Sequence, residues 1–273
     1  MPYEKGCVYF HQGWTDIIIC LGLINYYADR YKDVVVLMRS DSKDLIDFYV
    51  KDLKNVKIIY IPSDYGRIYC KINTGLILNN PVYINNSINI PNDYAVLFHY
   101  SHDVHRNDKY KHISSKPPCE VSSFHEAFYK YYDIDYENRI NSFAFNRDLQ
   151  IEEMAYEKFI TKYSVNYVLL HYDTNNVRCG PCSKNTSINI PNKLHGCNYV
   201  NLNLLTTTFF DYIKIIINAK EIHLIDSIWG ALIYQIDCKY KLFENVKIYF
   251  YPLRGHKHVC CPLLKNWTIV NEH

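Results

Sequence analysis

Residues 6–27 read GCVYFHQGWTDIIICLGLINYY, and this stretch decides the fold. It opens on a short apolar run, Cys7-Val8-Tyr9-Phe10, about the length of one buried strand. A polar turn follows, His11-Gln12-Gly13-Trp14-Thr15-Asp16, and then Ile17, Leu21, Ile24 and Tyr27 recur at helical spacing. Strand, glycine-bearing turn and helix in immediate succession form the entry unit of a doubly wound α/β domain. Gly13 permits a close backbone approach, and Thr15 or Asp16 is placed to cap the helix. Ligands in such sheets bind outside the carboxyl ends of the strands, so the loop 11–16 is expected to face a cleft.

Outward from this unit the alternation continues. Residues 33–38 are a near-continuous apolar run, the pattern of a parallel strand covered on both faces. A helix is predicted over 42–54 and a strand over 56–61, ended by Pro62. Residues 62–93 are less regular, 94–99 read as a strand, and 122–129 as a helix. The polar, extended pattern of 136–148 predicts a boundary. A second series then runs through a helix at 151–163, a strand at 166–171 and a long polar loop. It continues with a helix at 208–219, a strand at 221–225, a helix at 227–236 and a last strand at 246–251. The expected architecture is two Rossmann-like domains facing a cleft, 1–147 and 148–273. The hexapeptide SINIPN occurs at both 87–92 and 187–192, but its place relative to the strands differs, so chance in an Ile- and Asn-rich chain explains it.

Composition narrows the classes. With 273 residues, 48% hydrophobic and 21% charged, the chain belongs with ordinary globular proteins. A formal net charge of +2 argues against a nucleic-acid binder, whose phosphate affinity needs clustered Lys and Arg. No run approaches the roughly 20 apolar residues of a membrane span, and MPYEKGCVYF lacks the apolar core of a signal peptide. The ten cysteines are scattered, which suits reduced, buried thiols in a cytoplasmic protein better than a disulfide framework. The sequons at Asn85, Asn185 and Asn266 are then accidental.

Three loops collect polar groups at predicted carboxyl ends of strands: 11–16, 171–184 and Asp226-Ser227. The third is the most telling, because Ile222-His223-Leu224-Ile225-Asp226-Ser227-Ile228-Trp229-Gly230 turns a strand directly into a helix. A helix start presents unpaired N–H groups and the positive end of the dipole, a ready anion site. The plainer alternative is that Asp226 or Ser227 merely caps the helix.

Strand, Asp-Ser, then a small-residue helix in the C-terminal half resembles the donor-site signature of GT-B glycosyltransferases. The pattern is similar to the lipopolysaccharide heptosyltransferase family, with its S-x-D-[ST]-G turn and its N-terminal strand, Gly-Asp turn and long helix. Here Trp14-Thr15 stands between Gly13 and Asp16, and Ile228 stands where the family has glycine, with Gly230 coming later. The resemblance implies an inverting, metal-independent transfer from a nucleotide sugar to a glycan or other acceptor hydroxyl, with no cofactor, nucleic-acid partner or membrane span. It implies a general base at Asp16; His11 can also serve. Donor contacts are expected from Gly13, from His171, Asp173, Arg178 and Lys184, and from Asp226 and Ser227. His125 and Glu126 at a helix start are placed to bind acceptor hydroxyls, unless they are a plain surface pair. A non-catalytic nucleotide- or sugar-binding protein on the same scaffold is the rival reading.

Two further motifs compete. Cys179-Gly180-Pro181-Cys182 spells a thioredoxin dithiol, but sits in a polar loop without the apolar helix the mechanism needs. Cys179, Cys182, His195 and Cys197 have one zinc-type pair and lack a second. His99, His102, His105 and His112 fall in one loop, placed to contact an acceptor unless it is simply solvated, and Cys260-Cys261 beside His256 and His258 read as a crowded terminal turn.

Overall fold

Val34, Val35, Val36, Leu37 and Met38 are all buried, as a parallel strand covered on both faces requires. The computed structural model describes residues 3–9, 14–61, 95–99, 126, 129–130, 133–171, 188, 190, 194–202, 209–252 and 264–270. The apolar run lies in β2 (Tyr31–Arg39), flanked by β1 (Tyr3–Tyr9) and β3 (Val56–Ile61). On the other side of β1 lies β4 (Ala95–His99), and all four strands are parallel in the order β3-β2-β1-β4.

Parallel neighbours need crossovers. α1 (Trp14–Ala28) joins β1 to β2, and α2 (Lys43–Val50) joins β2 to β3. α1 begins at Trp14, so Thr15 and Asp16 lie within its first turn and not at the cap expected for them. α2 stops short of the predicted 42–54. The turn after it is fixed by Asn55, whose amide donates to the carbonyls of Ala28 and Tyr31 at 2.8 and 2.9 Å.

The two compact units divide between Asn146 and Arg147, inside the expected boundary stretch 136–148. Most of that stretch belongs to the unit Met1–Asn146. α3 (Asn138–Asn141) packs so closely on α1 that a Cβ on Gly22 would stand 2.6 Å from the Asn138 carbonyl. Phe143 is fully buried against Tyr49, and Asn25 donates to the Ala144 carbonyl at 2.8 Å. Polar neighbours mask these apolar anchors in the sequence, because their partners lie about a hundred positions away.

The second compact unit is Arg147–His273. α4 (Leu149–Tyr163) starts on an Asp148 cap that accepts from the Ile151 N–H, beside a bidentate Arg147–Glu152 pair at 2.8 and 2.6 Å. Five parallel strands follow: β5 (Tyr167–His171), β6 (Asn198–Asn201), β7 (Glu221–Ile225), β8 (Lys247–Tyr251) and β9 (Trp267–Ile269). Their order is β6-β5-β7-β8-β9. The edge strands β6 and β9 were not foreseen; four and three residues carry too little periodicity to be read. The helix predicted over 208–219 is a 3₁₀ turn at Phe209–Tyr212 followed by α5 (Ile213–Ile217). α6 (Ile228–Tyr240) crosses from β7 to β8. Among the described residues no helix is long and apolar enough to cross a membrane. The protein is thus α/β, with two parallel sheets in two compact units.

Candidate functional site

An open parallel sheet has a topological switch point where successive crossovers leave in opposite directions, and ligands bind at the carboxyl ends there. In the first sheet the switch lies between β1 and β4, whose carboxyl ends pair Tyr9 with His99. In the second it lies between β5 and β7, since β6 and β7 sit on opposite sides of β5.

At the second switch point two side chains meet across the strands. His171 ends β5 and pairs with Leu224, which pairs with Phe250, so the three form one row across the sheet. Two residues beyond the end of β7, the Ser227 hydroxyl meets His171 Nδ1 at 2.6 Å. His171 and Ser227 are buried at 5% and 7% exposure, and Asp226 between strand and helix is buried as well. Ser227 occupies the cap position of α6 with an extended backbone, yet its side chain makes no capping bond. The hydroxyl is turned to the imidazole instead, so the simple capping role does not hold for Ser227.

Gly230 allows the helix to start this close. A Cβ there would lie 2.8 Å from the Ile225 carbonyl and 3.3 Å from the Phe250 ring. Trp229 meets Phe209 edge-on at 4.7 Å and is buried. Gly230→Ala is expected to push the first turn of α6 off β7 and cost about 1–3 kcal/mol, read from the urea midpoint. An unchanged midpoint would mean that the backbone there yields freely.

Hydroxyl beside imidazole is also the beginning of a nucleophile–base pair. Ser227 lacks the strained, exposed turn that a nucleophile at a strand–helix junction occupies: its φ is −149° and it is almost wholly buried. The pair is arranged to hold a hydroxyl at a helix start, where N–H donors and the dipole favour an anion.

In the first unit Asp16 is half-buried in the first turn of α1. It sits one turn before Cys20, whose thiol is pushed up first by burial and then by the Asp16 carboxylate, so Cys20 stays protonated and inert. Glu126 pairs with Lys130, and Tyr129 of the same segment donates to the Ile19 carbonyl at 2.6 Å, which ties the segment to α1. His11, Gly13, His125, Asp173, Arg178 and Lys184 lie outside the described residues, as do Cys179 and Cys182. Among the described residues no three His, Cys, Asp or Glu side chains gather as a metal group.

His223 has no role in the sequence reading, and only the strand register reveals its setting. It is buried in β7, bonded through Nδ1 to the Tyr251 hydroxyl at 2.9 Å and stacked on Tyr249 at 4.8 Å. Nε2 has no hydrogen-bond partner among the described residues; the Glu221 carboxylate, at 3.6 Å, is too far. Burial pushes the imidazole below its ordinary pKa, and Glu221 pulls it up without cancelling this. Native His223 is therefore neutral where the unfolded chain already binds a proton. Its effect on stability is absent above about pH 6.5 and grows unfavourable as the pH falls below that value. Urea midpoints between pH 7.5 and 5.5 should fall more steeply for the wild type than for His223→Phe. Equal slopes would place the acid sensitivity elsewhere.

No family model, curated protein or solved structure matches the chain.

Proposed function

We propose that the protein is an inverting, metal-independent glycosyltransferase that moves a sugar from a nucleotide-sugar donor to a hydroxyl of a glycan or other acceptor. The observation that carries the reading is the second switch point. There β7 turns through Asp226-Ser227 into α6, and His171 holds the serine hydroxyl at the helix start. In this reading the two units act as the acceptor and donor domains of a GT-B enzyme facing a cleft. The departing diphosphate lies at the start of α6, where N–H donors, with Arg178 or Lys184, take up its charge. Those groups supply what a divalent ion supplies elsewhere. Asp16 or His11 removes the acceptor proton as the new glycosidic bond forms.

A thermal-shift screen against UDP, GDP, ADP and dTDP tests the donor. One of them is expected to raise the melting temperature, by the equivalent of about 2.7 kcal/mol at a hundredfold excess over Kd. Asp226→Ala should remove most of that shift without unfolding the chain. With the matching nucleotide sugar, slow release of the nucleoside diphosphate is expected even without acceptor. No shift with any of the four overturns the reading; binding without release favours a non-catalytic nucleotide-binding protein.

A further inference from the structure

We propose that Glu221, His223 and Tyr251 form a proton-operated latch on β7 and β8, in which the imidazole releases Tyr251 and closes on Glu221 when it takes up a proton from solvent. The spacing of the cluster carries this. His223 Nδ1 lies 2.9 Å from the Tyr251 hydroxyl. Nε2 is buried without a hydrogen-bond partner among the described residues and stands 3.6 Å from the Glu221 carboxylate. That gap is too long for a hydrogen bond and within reach of an ion pair. The Glu221 side chain has no other partner among the described residues, so it is available as a counter-ion. On β8, Lys247 is the exposed register partner of Glu221, and Tyr249 stacks on the imidazole at 4.8 Å. On β5 the register partners of Glu221 and His223 are Val168 and Leu170, which carry no charge.

A neutral imidazole has one N–H. The carboxylate favours that hydrogen on Nε2, because a lone pair there would be repelled, and Nδ1 then accepts from the Tyr251 O–H. Burial disfavours the charged ring more than Glu221 favours it, so uptake falls below the ordinary value of about 6.5. Once charged, the ring carries N–H on both nitrogens, and Nε2–H gains the full attraction of Glu221. Closing that gap to hydrogen-bond length takes a swing of about 0.8 Å, enough to draw Nδ1 out of reach of Tyr251. The rings of His223 and Tyr249 are only 14° from parallel, so the swing can keep their stack. Tyr251 ends β8 and packs on Ile225 and Ile188, so its release is felt at the carboxyl end of β8.

The test is nitrogen NMR of the full chain labelled in histidine, with His223 assigned by the signal lost in His223→Phe, or in His223→Gln where Phe does not fold. At pH 7.5 the ring is expected to show Nε2–H and a bare Nδ1, and then to titrate below pH 6.5 while the chain stays folded. Glu221→Gln should lower that midpoint by about one pH unit or more. Across the midpoint, hydrogen exchange at the Phe250 and Tyr251 amides, corrected for its intrinsic pH dependence, should quicken by about tenfold. In Tyr251→Phe, which has no such bond to lose, it should not respond. A hydrogen on Nδ1 at pH 7.5 overturns the proposal, as does unfolding before His223 takes up its proton. So do an unmoved midpoint in Glu221→Gln and exchange that ignores the titration.

Discussion

Asp16→Asn is expected to lower glycosyl transfer by about 10²- to 10⁴-fold while nucleotide binding stays close to wild type. A carboxylate can take a proton from a hydroxyl within hydrogen-bond reach; an amide cannot. The fold should tolerate the change. Asp16 lies inside the first turn of α1, where its charge favours the helix dipole by only about 0.3–1 kcal/mol, and Asn keeps its shape. Nucleotide binding is assigned to the other unit and should not respond. If Asp16 only complements the dipole, the variant would lose a little stability and no activity. Full transfer in the folded variant would end the base assignment and make His11 the next candidate.

Asp237→Ala is expected to destabilise the second unit by about 3 kcal/mol or more. Asp237 is buried in α6 and accepts three hydrogen bonds. One carboxylate oxygen takes the Phe243 N–H at 3.1 Å; the other takes Trp267 Nε1 at 3.0 Å and the Asn266 amide at 3.2 Å. The residue thus ties α6 to the turn before β8 and to the edge strand β9. Alanine would leave buried donors without an acceptor, and an unmade bond of this kind costs more than a made one contributes. Asp237→Asn retains one acceptor oxygen and should fall between wild type and alanine. A urea midpoint for the alanine variant within about 1 kcal/mol of wild type would show that water takes over these donors. The same cluster bears on the sequon at Asn266, whose side-chain nitrogen also donates to the Phe243 carbonyl at 2.8 Å. A glycan on that nitrogen would break the cluster.

The central strands were legible because a parallel strand buried on both faces must be largely apolar, as 34–38 are throughout and 221–225 are at Ile222, Leu224 and Ile225. The junction at Asp226-Ser227 was legible for a similar reason: a strand pattern gives way to a helix pattern with no room for a loop. The boundary within 136–148 was legible from its polar pattern, but the anchoring of Phe143 and Phe145 in the first unit was not, because their partners are remote. β6 and β9 were missed because strands of four and three residues carry too little periodicity.

By itself the sequence determined the class of fold, since hydrophobic periodicity switching between strand and helix spacing is a local property. It also marked Asp16, His171, Asp226 and Ser227 individually, as polar groups at the ends of apolar runs. Strand order was decided only by tertiary structure, and with it the position of each switch point. So was the contact of His171 with Ser227, 56 residues apart, and the placing of His223 against Tyr249 and Tyr251. Those pairings follow from which strands lie side by side and in what register. That choice is made by packing energy summed over the whole sheet, and no single stretch of the chain contains it.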